Sequence, residues 1–250
     1  MIYVVGIGPG ARDTMTIEAL EALKTAEVIV GYKTYIDLVA DLIKDKDIVQ
    51  NGMRGEVERC QEAINLAANG KCVAVISSGD AGVYGMAGLV LELSERHTKT
   101  TGQNIYVKVV PGVTASSAAA AILGAPLMHD YCHISLSDLL TPIDVIHRRL
   151  KHATLADFVI CLYNPRSAGR PHHLEDALKI VREAAGQDLV VAVVKDAYRP
   201  EQSVQRATLD TLNFQVVDMT SIVMVGNSST YHLENLTITP RGYEKKGVSR

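Results

Sequence analysis

Short apolar runs of period two alternate along this chain with stretches whose apolar positions recur every three to four residues. "IYVVGIG" opens as a strand, and "TMTIEALEALKTA" follows as a helix capped by Thr14 or Thr16. "EVIVG" and "IVQN" continue as strands, and "EVERCQEAINLAANG" is an amphipathic helix stopped by Gly70. "KCVAVISSG" is a strand, "AGLVLELSERH" a helix and "NIYVKVVPG" a strand. A second series then begins. "CHISLS", "DFVICLYN" and "DLVVAVVKDA" are strands, separated by the helices "PIDVIHRRLKHA" and "HHLEDALKIVREAAG", the latter ending at Gly186. "SVQRATL" and "TSIVMVGN" add strands with a more antiparallel character, and "LTITPRGY" closes the sheet or the chain. Strands alternating with helices imply a largely parallel sheet covered on both faces. The pattern predicts an α/β protein of two α/β/α domains, 1–112 and 113–250, with a ligand cleft between them.

Composition narrows the class. The 250 residues are 47% hydrophobic and 21% charged, as in an ordinary globular protein. A net charge of −3 supplies no basic field for a nucleic-acid partner, so an anionic ligand must meet local Lys and Arg. Cys60, Cys72, Cys132 and Cys161 show no CxxC spacing and read as free thiols of a cytoplasmic protein, with no metal site. The N-terminus lacks the pattern of a secretory leader. Val113 to Met128, rich in Ala, Ser and Gly, is too short and too weakly apolar for a membrane span.

Ligands of open α/β sheets bind beyond the carboxyl ends of strands, so the loops there hold the candidate chemistry. "GIGPGA", Gly6 to Ala11, satisfies the dinucleotide fingerprint literally, but Pro9 removes an amide. The second strand ends in Gly31, Tyr32 and Lys33, where an acid for a ribose is expected. A NAD-dependent oxidoreductase is therefore the weaker alternative. In "VISSGDAGVYGM", Gly79 permits a sharp turn, and Asp80 is either a helix N-cap or a ligand contact. In "VVPGVTASSAAAAILGAPL", Thr114, Ser116 and Ser117 offer hydroxyls ahead of four alanines that suit close helix packing. In "CLYNPRSAGR", Asn164–Pro165 turns the chain, and Arg166 and Arg170 place two cations in the loop.

These stretches carry a resemblance. "VVGIGPG", "SSGDAGVYGMA", "PGVTAS", "LGAPLMHDYCHISLSDLLTP", "YNPRS" and "TPRGY" resemble the tetrapyrrole methyltransferases of cobalamin biosynthesis, over nearly the whole chain. Within that family the pattern is most similar to the ring-contracting C17-methyltransferases, which act on precorrin-3B or cobalt-factor III. Ala81 stands where many relatives have proline, and "SSGDAGVYGM" looks more like the anaerobic, cobalt-dependent branch. The resemblance implies S-adenosylmethionine as methyl donor, held in the cleft. It implies contacts from Pro9, Gly79, Asp80, Val83, Thr114 and Ala115, with Asp80 facing the donor's ammonium, and from Tyr163, Asn164, Asp196 and Asn227 on the adenosine side. It also implies a homodimer. The alternative within the family is a methyltransferase for another tetrapyrrole position.

Methyl transfer from a sulfonium is an in-line displacement that needs alignment and exclusion of water rather than a general base. Ring contraction needs proton transfers as well. His129 and Asp130 are the candidates for these, with Asp138 and Lys195 behind them. His129 and His133 stand four apart, but on a strand or bend rather than a helix, so the spacing is not a metal signature. The carboxylates of a tetrapyrrole call for loop cations. Lys33, Arg54, Arg166 and Arg170 are the candidates, with Tyr84 as a further substrate contact.

Overall fold

The computed structural model describes residues 1–51 and 55–243. They fall into two compact units that divide after Ala115, just beyond the 112/113 boundary that the sequence suggests.

The first unit is built on five parallel strands: β1 (Ile2–Gly6), β2 (Val28–Tyr32), β3 (Asp47–Asn51), β4 (Val73–Ser77) and β5 (Val107–Val110). Their order is β3-β2-β4-β1-β5. Alternate residues of these Val- and Ile-rich strands feed two separate cores. Val5, Ile29 and Ile76 pack with Ala22 and Leu23 of α1 (Ile17–Thr25) and Ile36 of α2 (Lys33–Leu38). Val4, Val30 and Val75 pack with Cys60 and Ile64 of α3 (Glu56–Ala68) and Val90 and Leu93 of α4 (Ala87–Thr101). Two helices therefore cover each face, as a sheet apolar on both sides requires. Thr16, not Thr14, caps α1: its Oγ1 accepts from Ala19 N at 3.1 Å. Thr14 instead donates to Ala11 O at 2.6 Å. The short α2 has no counterpart in the sequence reading, because six residues are too few to show a helical period.

The second unit continues α5 (Ala115–Leu123) into a mixed sheet of β7 (Tyr131–Ser135), β8 (Val159–Tyr163), β9 (Val190–Lys195), β10 (Ser203–Thr208) and β11 (Ser221–Val225). The order is β10-β9-β11-β8-β7. Only β7 and β8 are parallel neighbours; β11 runs antiparallel to both β8 and β9. One face packs Ile134, Ile160, Leu162, Val193 and Val223 against α6 (Ile143–Leu155) and α7 (His173–Ala185). The segment "LTITPRGY" does not close this sheet. Its Leu236–Ile238 forms β13, which joins β12 (Tyr231–Leu233) and β6 (Gly124–Ala125) in a separate three-stranded sheet. Thr239 fastens it by donating to Pro126 O at 2.6 Å.

Candidate active site

In the first unit, β1 and β4 lie side by side, and their outgoing connections cross opposite faces of the sheet. The connection after β1 carries α1 on one face, and the connection after β4 carries α4 on the other. Their carboxyl ends form a topological switch point, the place where such sheets take ligands. The loops there are joined backbone to backbone. Gly8 N donates to Gly79 O at 3.0 Å, Gly79 N to Gly8 O at 2.8 Å and Ile7 N to Ser77 O at 2.9 Å. A Cβ on Gly6 would stand 2.7 Å from Gly112 N and 2.8 Å from Gly79 O. One on Gly112 would stand 2.2 Å from Gly79 O and 2.6 Å from Gly6 O. The glycines of "GIGPGA" thus serve a three-loop knot rather than a pyrophosphate, since the Gly8 amide is already spent.

Asp80 locks this knot. Its Oδ1 accepts from Gly82 N at 2.8 Å and Val83 N at 3.1 Å, and its Oδ2 accepts from Gly112 N at 2.9 Å. It is not the N-cap of α4, which begins seven residues later at Ala87. Three of a carboxylate's roughly four acceptor positions face main-chain N–H groups, so the structure gives Asp80 a fastening role. Gly79 backs onto the start of α5: a Cβ there would lie 3.6 Å from Ala115 N and 3.7 Å from Thr114 Cα. Gly79, Asp80, Val83, Thr114 and Ala115 therefore share one strand end, and Pro9 follows the bonded Gly8. Tyr84, in the same loop, has φ +54° and is 52% exposed, an unfavourable backbone conformation for an aromatic residue.

In the second unit, Tyr163 and Asn164 end β8 and Asp196 follows β9. Both strands are antiparallel to β11, so these residues emerge at the same end. Asn164 and Asp196 both have positive φ, +52° and +48°. Asn164 Nδ2 donates to Ser135 Oγ at 2.9 Å, and Asp196 N to Thr220 O at 3.3 Å. Tyr163 Oη accepts from Ser116 N at 3.1 Å, and Ser116 Oγ lies 2.8 Å from His133 Nε2. Burial holds the His133 pKa below the usual imidazole range, which keeps the ring neutral in this polar cluster. The sequence offered Ser116 as a hydroxyl and His133 only as a neighbour of His129, and their pairing was not legible because 17 residues separate them in the chain.

Asn227 stands apart from these residues. It follows β11, and because that strand runs against β8 and β9, Asn227 emerges at the opposite end of the sheet from Asn164 and Asp196. It is 4% exposed, and its Oδ1 accepts from Ser229 N, Ser229 Oγ and Thr230 Oγ1 at 3.0, 2.9 and 3.1 Å. That carboxamide closes a turn.

The four proton-transfer candidates are not assembled either. His129 and Asp130 precede β7, parallel to β8, so they sit a strand's length, about 15 Å, from Asn164. His129 Nδ1 accepts from Asp130 N at 2.9 Å, and both side chains are exposed. Asp138 and Lys195 lie at the other end, each with a partner. Asp138 stands 3.2 Å from His173 Nε2, which lowers its pKa, and Lys195 stands 2.6 Å from Asp218, which raises the lysine's.

Of the proposed cations, Lys33 opens α2 rather than lying in a loop and pairs with Asp37 at 2.8 Å. Arg166 Nη1 donates to Phe214 O at 2.7 Å and so braces its own loop. Arg170 is buried, with Nη2 3.9 Å from Met219 Sδ. Arg54 lies outside the described residues. The thiols are free, and burial pushes Cys60 to about 11 and Cys161 to about 12, so neither offers a thiolate at neutral pH.

The glycine knot stands at a switch point, where open α/β sheets take ligands, and comparison with known proteins defines the class. The family of Tetrapyrrole (Corrin/Porphyrin) Methylases matches residues 1–213, and the chain belongs to that family. It is 54% identical over 243 residues to the probable cobalt-factor III C(17)-methyltransferase of Salmonella typhimurium, covering 97% of this chain and 99% of that protein. It is 39% identical to the precorrin-3B C(17)-methyltransferase of a Sinorhizobium species, covering 97% and 96%. The crystal structure of the methyltransferase CobJ superposes with a TM-score of 0.89 at 38% identity, covering 96% of this chain and 99% of that one.

Proposed function

We propose that this protein is an S-adenosylmethionine-dependent methyltransferase that methylates C17 of cobalt-factor III with contraction of the ring, in cobalamin biosynthesis. The observation that carries this reading is the 54% identity that spans essentially all of both chains. The cobalt-containing substrate is favoured over precorrin-3B because the relative named for it is the more similar, 54% against 39%. Cobalt enters as part of the substrate. Among the described residues no helix is long and apolar enough to cross a membrane. We infer a cytoplasmic protein from its free thiols and a homodimer from the resemblance.

The strand-end residues suit the donor. Gly79, at φ +69°, takes a backbone conformation that a side chain would strain, and so brings the end of β4 against Thr114 and Ala115. When bound, S-adenosylmethionine supplies an electrophilic methyl group. The chain's own work is to hold and orient. Pro9, Gly79, Val83, Thr114 and Ala115 line one part of the donor site, and Asp80 keeps their loops in register. Tyr163, Asn164 and Asp196 are the proposed contacts from the second unit. Aligning carbon and methyl and excluding water lowers the barrier without a general base.

Ring contraction also needs a proton donor or acceptor, and the exposed His129–Asp130 pair keeps that proposed role. With His129→Ala, donor binding is expected to stay intact and contraction to slow roughly a hundredfold, within the usual range for a lost acid–base group. Contraction at the wild-type rate would remove His129 from the mechanism.

The function itself is tested by anaerobic incubation with methyl-labelled S-adenosylmethionine and either cobalt-factor III or metal-free precorrin-3B. Label on the macrocycle with a contracted-ring spectrum is the expected result, with cobalt-factor III the better substrate. Label without contraction would move the activity to another ring position.

A further inference from the structure

The loop between β7 and α6 is fastened at both ends. Leu136 is buried, and its N–H donates to Tyr163 O at 2.9 Å. Ser135 Oγ accepts from Ser137 N at 3.2 Å and from Asn164 Nδ2 at 2.9 Å, so the loop is tied directly to Asn164. Asp138 reaches His173 at 3.2 Å, and the charge of Arg170 acts on the same carboxylate. Beyond the loop, Ile146 and Leu150 anchor α6 in the core. Between these anchors the chain carries two leucines that no core takes up. Leu139 is 66% exposed and Leu140 98%, and Ile143 in the next turn is exposed as well. Isolated exposed apolar residues need no explanation, but neighbouring ones on a fastened loop mark a contact surface.

We propose that Leu139 and Leu140 are substrate-binding residues that lie against the apolar face of the tetrapyrrole. The inference rests on the substrate reading above. The loop is hydrogen-bonded through Ser135 to Asn164, so it continues the candidate site. Its chemistry also matches the ligand class. A tetrapyrrole has flat apolar faces and a rim of carboxylates, and the loop has an apolar tip with the guanidinium of Arg170 beside its base. The segment "LSDLLTP" thereby acquires a function that neither donor binding nor the fold requires of it.

Because both leucines are exposed, their replacement leaves the core intact. The test is the Leu139→Ser/Leu140→Ser double variant of the full chain, titrated anaerobically with cobalt-factor III and, separately, with S-adenosylhomocysteine. The expected result is a tetrapyrrole dissociation constant raised about tenfold or more, from the lost apolar burial. The melting temperature, sedimentation and affinity for S-adenosylhomocysteine are expected to be unchanged, and the Leu139→Met/Leu140→Met variant to bind nearly as wild type. Unaltered tetrapyrrole affinity would overturn the proposal. A change in sedimentation with unaltered tetrapyrrole affinity would overturn it too, and would assign the leucines to contact with a second copy. A wild-type chain that binds no tetrapyrrole at all would instead overturn the substrate reading on which the proposal rests.

Discussion

Replacing Asp80 with alanine is expected to weaken binding of S-adenosylmethionine at least a hundredfold and to lower stability by roughly 2–4 kcal/mol. The carboxylate satisfies three main-chain N–H groups, those of Gly82, Val83 and Gly112. Its loss leaves part-buried donors without partners and frees the loop after β4 from the loop after β5. Asp80→Asn separates two explanations. The asparagine oxygen can still accept from Gly82 and Val83, but its NH2 group would face the Gly112 N–H, donor against donor. If the tie to Gly112 positions the donor site, Asp80→Asn binds the donor almost as poorly as Asp80→Ala, by isothermal titration. If Asp80 acts only on its own turn, Asp80→Asn binds nearly as wild type, and the fastening role fails.

The second large effect is on folding. With Gly112→Ala, the new Cβ meets Gly79 O at 2.2 Å and Gly6 O at 2.6 Å, and both are backbone atoms of central strand ends that cannot swing aside. Overpacking of this kind is expected to cost about 3 kcal/mol or more, a fall in melting temperature of about 6–12 °C for a chain of this size. Gly88→Ala is the control. Gly88 lies in α4 with nothing within 4 Å of a built Cβ, so alanine there is expected to leave stability equal or slightly raised. A Gly112→Ala protein that melts with wild type by calorimetry would show that the three loops are not packed as described.

Much of this fold was legible in the residues. Thr16, Gly70 and Gly186 bound their helices through local chemistry, and local chemistry is what a sequence displays. The strand ends carrying Gly79 and Thr114 were legible too, because all five strands of the first unit run the same way and "after the strand" means one end of the sheet. Asn227, which the resemblance rather than this rule supplied, could not be placed from the sequence. Nothing in "SIVMVGN" states that β11 lies antiparallel between β8 and β9, and direction alone sends its following residue to the far end. His129 and Asp130 lie at that far end too, because they precede a strand parallel to β8. The role of Asp80 was hidden for another reason. Its third partner, Gly112, is 32 residues away, and a carboxylate looks the same in a sequence whether it meets a ligand or an amide.

The placement of β1 at the heart of its sheet has a consequence for how the chain is made. Ile2 pairs with Val73 on one side and Val107 on the other, so β1 has no permanent neighbour until most of the first unit exists. At about 5–20 residues per second, translation from β1 through β5 takes about 5–20 s. Until β4 is made both edges of this apolar strand are open, and the edge that takes β5 stays open to the end, the condition under which strands pair with the wrong chain. Contacts this distant in sequence also make for slow closure once synthesis is complete. Shelter of β1 in those seconds is thus a demand on folding that is distinct from the strength of the finished glycine knot.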